Sequence, residues 1–79
     1  MQVSIFTIKK GLEQIEDVIS IRIKSKLYNL LVLKDYLPII GKIEGNFEIE
    51  TKNDKIKYEN VTAYYVNNKN KFNIIIEGE

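Results

Sequence analysis

The chain contains no cysteine, no histidine and no tryptophan, and a single proline, Pro38. Without cysteine there are no disulfides and no thiolate metal sites, which excludes a small secreted scaffold held by cross-links. Without histidine, Ser-His and Cys-His catalysis and imidazole ligation of a metal are excluded as well. Alanine, the best helix former, occurs once, at Ala63, which argues against helices. Long hydrophobic runs are missing. Leu30 to Leu33 and Ile74 to Ile76 fall far short of the roughly 20 residues of a membrane span. The opening MQVSIFTIKKG lacks the basic region and extended apolar segment of a signal peptide, so the expected location is the cytoplasm. Neither sign of charge dominates: 12 basic and 11 acidic side chains give a net charge of +1. A phosphate-binding protein needs a clustered basic excess. Neither G-x-x-x-x-G-K nor G-x-G-x-x-G is present, so no phosphate loop is visible.

What the chain does have is isoleucine (14), lysine (11) and asparagine (8), against one arginine, Arg22. These favoured residues have A/T-rich codons, a pattern expected of a low-GC bacterium. Seventy-nine residues, 44% apolar and 29% charged, make one globular domain spanning 1–79. A chain this short buries only about 60% of its unfolded surface, so its core is limited. Alternation predicts strands. Ile19, Ile21 and Ile23 share one face, with Ser20, Arg22 and Lys24 on the other. Phe47 and Ile49, Ile56 and Tyr58, and Phe72, Ile74 and Ile76 repeat the pattern. Turn residues at 9–11, 44–46, 53–55 and 67–70 separate these runs. The expected strands are 2–8, 12–15, 17–25, 27–33, 46–52, 55–59, 61–66 and 71–77. Such spacing predicts an all-β fold, a small β-sandwich or flattened barrel of about 8–10 short strands. One segment competes: Leu12, Ile15, Val18 and Ile19 also lie at helical spacing.

The sequence offers little for chemistry. Glu13, Glu16 and Asp17 cluster, as do Glu48 and Glu50. Acid–base catalysis needs two carboxylates converging in a cleft, whereas Glu48 and Glu50 share the polar face of one strand. No catalytic, cofactor-binding or metal-binding residue is assigned, and the chain is expected not to be an enzyme. Lysines and tyrosines interleave from Lys52 to Tyr65. Such a surface can bind single-stranded nucleic acid, but a lysine-decorated outer face that keeps a β protein soluble is the favoured reading. Tyr36, Tyr64 and Tyr65 are either exposed interface aromatics or core.

The stretch LVLKDYLPIIGKIEGNFEI, Leu31 to Ile49, resembles the epsilon subunit of F-type ATP synthases, specifically its N-terminal β-sandwich domain. That family carries V-L-P-G-H-A-P-L-L. Val32-Leu33 matches V-L, Pro38 the second proline, and Ile39-Ile40 the L-L pair. Ile43, Gly45 and Phe47-Glu48-Ile49 match the apolar position, turn and strand that follow, with one residue deleted. Asp17 to Lys24 takes the place of the family's V-x-x-V-x-V strand, and Lys55 to Glu77 resembles its closing hairpin. The family's P-G-H is replaced by Lys34-Asp35-Tyr36, removing the histidine and the tight proline–glycine turn.

The resemblance implies a fold and a role. Pro38 would lie in a loop joining two strands, where a missing N–H costs nothing. By position, Tyr36, Pro38, Ile39 and Gly41 become candidate partner-interface residues. The implied partner is the gamma-like shaft of an F1-type rotary ATPase, with alpha- and beta-like subunits in the same complex carrying the catalysis. No cofactor, nucleic acid or direct membrane insertion is expected, and the chain would reach the inner face of the cell membrane through its complex. The sequence stops at Glu79, so the C-terminal helical hairpin of most epsilon subunits is expected to be absent. The motor would serve ATP synthesis and proton transport, or another mechanical task such as gliding motility. Two other readings stay open: a small β-barrel nucleic-acid-binding module, and a phage or secretion structural protein.

Overall fold

In the computed structural model, which describes residues 1–77, every element is a strand. They are β1 (Gln2–Thr7), β2 (Gly11–Ile15), β3 (Val18–Ser25), β4 (Asn29–Leu33), β5 (Ile39–Thr51), β6 (Lys55–Asn68) and β7 (Lys71–Glu77). The expected end of the domain at Gly78 and Glu79, and with it the expected absence of a helical hairpin, lies outside the described residues. The helical alternative over Gly11 to Ile19 is not formed. Asp17 adopts a positive φ of 56°, and β2 pairs in register with β1 from Val3↔Ile15 to Thr7↔Gly11.

The strands form one mixed sheet in the order β2-β1-β7-β6-β5-β3-β4. β1 and β7 are parallel and all other neighbours antiparallel. The sheet does not close into a barrel, because β2 and β4 remain as its two edges. It folds over on itself through β5 and β6. Residues 39–45 of β5 pair with residues 61–67 of β6, and beyond a bulge between Gly45 and Phe47 the pairing resumes at 47–50 with 55–58. β7 uses only the 62–68 part of β6, and β3 only the 45–51 part of β5. One layer is therefore β2, β1, β7 and the paired halves 61–68 and 39–45. The other is 55–58, 46–51, β3 and β4.

Specific residues make the bend. The carbonyl oxygen of Lys24 occupies the place a Cβ on Gly45 would take, so only glycine fits there. On the opposing strand Asn60 takes a positive φ of 56°, and its N–H donates to Asn46 Oδ1 at 2.9 Å. Bulges of this kind sharpen twist and let a strand change layers.

Between the layers lies one core. Val3, Ile5, Ile43, Ala63, Phe72, Ile74 and Ile76 come from the first layer, and Val18, Ile21, Ile23, Val32, Phe47 and Ile49 from the second. Phe47 stacks on Tyr58 at 4.7 Å and Tyr65 on Phe72 at 5.1 Å between ring centres. Cutting Phe47 or Phe72 to alanine removes about 3–5 kcal/mol, comparable with the whole stability of a small domain.

Ile19 departs from the expected face. The register slips between Val18 and Ser20, so Val18 takes the core position and Ile19 is left 50% exposed.

Candidate functional site

The two layers present different outer faces. On the β3–β4 side, the outward residues over β3, β5 and β6 include Arg22, Lys24, Glu48, Glu50, Lys55 and Lys57, with Lys57 Nζ 3.7 Å from Glu48 Oε2, while Leu31 and Leu33 of β4 lie exposed at the edge of the same face. A face of alternating charges is the usual solvated side of an antiparallel sheet.

The other outer face breaks that rule. The registers line up Leu12 with Phe6, Phe6 with Ile75, Ile75 with Tyr64, and Tyr64 with Lys42. This row crosses five strands. Leu12 is 63% exposed, Ile75 56% and Tyr64 44%, and Phe6 is comparably open. Lys42 ends the row with its Nζ 5.7 Å from the centre of the Tyr64 ring, a cation–π arrangement. One step along the strands, Gln14, Ser4, Asn73, Val66 and Ile40 form a second row, in which Ile40 is 82% exposed. On the opposite side the row is Glu77, Thr62 and Glu44. Scattered exposed apolar residues need no explanation, whereas a contiguous stripe rimmed by polar residues is a candidate interaction surface. Its Phe and Tyr are residue types enriched at interfaces.

The proline loop borders this face. Leu33 to Tyr36 makes a tight turn, with the Tyr36 N–H donating to the Leu33 carbonyl at 3.2 Å and Asp35 at a φ of 62°. A tight turn therefore forms here without the proline and glycine of the resembled family. Asp35, standing where the resembled family has glycine, adopts the left-handed conformation that Asp and Asn tolerate. Asn70 holds it in place. Its Oδ1 accepts from the Asp35 N–H at 2.7 Å, and its Nδ2 donates to Asp35 Oδ1 at 2.9 Å. Buried Asn67 donates from Nδ2 to the Leu37 carbonyl at 3.1 Å. Pro38 lies in the loop between β4 and β5, directly before Ile39, and interrupts no strand.

The four residues singled out by resemblance divide between surface and interior. Pro38 is exposed. Tyr36 and Ile39 are half-buried and pack against the core. Gly41 faces inward beneath the Tyr65 ring, which fills the space a Cβ would occupy. The outward residue here is Ile40, which the sequence reading did not select. With 39–45 formed as strand and 39, 41 and 43 facing inward, period two places Ile40 outside.

Tyr65 itself is core, whereas Tyr64 is on the outer face. Tyr28 donates to the Lys42 carbonyl at 2.7 Å and lies 2.9 Å from the Tyr65 hydroxyl. Its one proton being spent on Lys42, Tyr28 accepts from Tyr65. Burial, and then the Tyr28 contact, push the Tyr65 phenol well above its ordinary value.

Among the described residues no group of three or more His, Cys, Asp or Glu side chains converges on a metal-sized site, and no helix is long and apolar enough to cross a membrane. The cleft bounded by Arg22, Lys24, Glu48, Lys57 and Tyr58 has a volume of about 150 Å³, below the usual ligand-pocket range of about 300–1,000 Å³.

The fold and its surface define a small all-β sandwich with one mostly charged outer face and one crossed by an apolar stripe. No family model and no curated protein sequence matches the chain. Its fold is similar to that of a chain in the cryo-EM structure of the central stalk and c-ring of Tetrahymena thermophila mitochondrial ATP synthase. The TM-score is 0.79 at 18% identity, over 99% of this chain and 63% of that one. The chain thus spans less than two thirds of the length of the protein it matches.

Proposed function

We propose that this chain is a non-catalytic, epsilon-like subunit that binds the gamma-like shaft of an F1-type rotary ATPase. The observation that carries the reading is the fold likeness over 99% of the chain to a component of an ATP synthase central stalk and c-ring structure. The residues resembling the epsilon family point the same way. The apolar outer face supports it too, since firm attachment to a shaft needs apolar burial rather than surface ion pairs. In this reading Leu12, Phe6, Ile75, Tyr64 and Ile40 supply the contact, with the Pro38 loop at its border. Catalysis belongs to alpha- and beta-like chains, and the subunit sits in the cytoplasm at the foot of the complex. The motor makes ATP with proton transport or drives another mechanical task such as motility.

Purification of the tagged chain from its host under mild salt tests the proposal. The expected result is an ATPase with three copies of each of two large subunits and one shaft, and any further subunits identify the motor's task. Recovery of RNA, of a phage or secretion particle, or of the chain alone overturns it.

A further inference from the structure

We infer that the apolar outer face takes a single amphipathic α-helix of the partner, laid across the strands rather than along them. The inference rests on the reading of this face as the assembly surface.

The shape of the stripe carries the argument. From Leu12 on β2 to Lys42 on β5 the row steps over one residue per strand. At roughly 4.8 Å per strand it is about 19 Å long. A helix rises 5.4 Å per turn. One apolar side chain per turn, from a stripe at i, i+3 or i+4 and i+7, therefore meets about one side chain per strand for three to four turns. Over β2, β1 and β7 the row is bordered on one side by the polar Gln14, Ser4 and Asn73, and on the other by Glu77 beyond Ile75 and by exposed Ile8 just past the end of β1. A second β-sheet would need several apolar rows to cover, and a single added strand would need a sheet edge rather than a face. The narrow stripe of one helix fits between polar rims.

Charge sets the helix's orientation about its own axis. The rim row of Glu77, Thr62 and Glu44 carries two carboxylates, Glu44 also lying 4.0 Å from Lys42 Nζ, while the Gln14, Ser4 and Asn73 rim is neutral. The helix flank over Glu77 and Glu44 carries lysine or arginine. The apolar stripe widens where Val66 and Ile40 join it, so the helix bears bulkier apolar residues at its β5 end.

Photo-cross-linking in the host complex tests this. p-Benzoylphenylalanine replaces Leu12, Ile75, Tyr64 or Ile40 in turn. Each variant is checked for folding by circular dichroism, and the cross-linked partner residues are mapped by mass spectrometry. Expected are cross-links to one partner segment, ordered along the row and spaced by three or four residues, and their loss in a Glu44→Lys/Glu77→Lys variant. Cross-links at every second residue, to scattered segments or to a second copy of this chain overturn the helix. So does labelling from Leu37 with none from the row. The identity of the captured protein is a separate readout. Helical spacing on a protein unrelated to an ATPase keeps this inference and sinks the rotary-motor reading, whereas scattered contacts on a shaft subunit do the reverse.

Discussion

Replacing Gly41 with alanine separates a packing role from a partner-contact role at one position. Gly41 does not have a positive φ, so the backbone itself tolerates a side chain and the effect comes from space alone. The new methyl group lands on the Tyr65 hydroxyl and ring edge. That ring cannot swing freely: it is 4% exposed, stacked at 13° on Phe72 and bonded to Tyr28. Overpacking of this kind costs about 1–3 kcal/mol, and displacing the hydroxyl forfeits a hydrogen bond of about 1 kcal/mol. Reduced backbone freedom in the unfolded chain returns roughly 0.4–1 kcal/mol. The expected net loss is about 1–3 kcal/mol, which lowers the melting temperature by roughly 10 °C in a domain of this size. Urea and thermal unfolding followed by circular dichroism measure it. The folded variant should still capture the partner. Unchanged stability would refute the packing argument, and unchanged stability with lost assembly would make Gly41 a contact residue.

Ile39 and Ile40 form a paired test. Ile39→Asp places a charge against the core and should cost about 2–4 kcal/mol. Ile40→Asp should stay within about 0.5 kcal/mol of the parent while weakening assembly, and equal unfolding of both would overturn the inside–outside assignment. Tyr65 predicts an alkaline limit. Its phenol is raised in the folded chain, so its contribution is intact below the unfolded value of about 10 and is lost as pH climbs above it, by up to 1.4 kcal/mol per pH unit. Tyr65→Phe should flatten that slope, and an unchanged slope would place the titration elsewhere. Asn70→Gly keeps the positive φ of 61° at this position but removes both bonds to Asp35. The Asp35 amide should then exchange faster with solvent, at a stability cost of about 1 kcal/mol, and unaltered exchange would show that the turn holds without Asn70.

Where period two runs undisturbed, as in KFNIIIE, the sequence shows both the strand and its buried face. Legibility fails where a backbone irregularity intervenes. Pro38 and the turn residues at 44–46 left 39–45 outside the expected strands, yet Gly41 there admits the Tyr65 ring and Gly45 the Lys24 carbonyl. Asn60 read as a break between two strands, whereas it kinks a single one. Ile19 was misplaced by a bulge that no local propensity announces. The continuity of β6 through Asn60 is why seven strands stand among the described residues where eight were drawn. The candidate surface was harder still, because it exists only after β2, β1, β7, β6 and β5 are brought into register. Leu12, Phe6, Ile75 and Tyr64 are far apart in the chain, and each is unremarked alone. The proline loop was legible because one residue type marks it.

The parallel pairing of β1 with β7 sets Gln2 beside Lys71 and Phe6 beside Ile75. During synthesis the first strand emerges with half of its hydrogen-bonding partners not yet made. Val3 and Ile5 must wait in water, with only the β2 hairpin to shelter them, until the last strand appears. A domain closed by its most distant pair folds slowly for its size and all at once, since no nascent fragment holds a complete core. The waiting chain is the form most exposed to aggregation. On this argument a truncation within β7 would affect yield before it affected any activity.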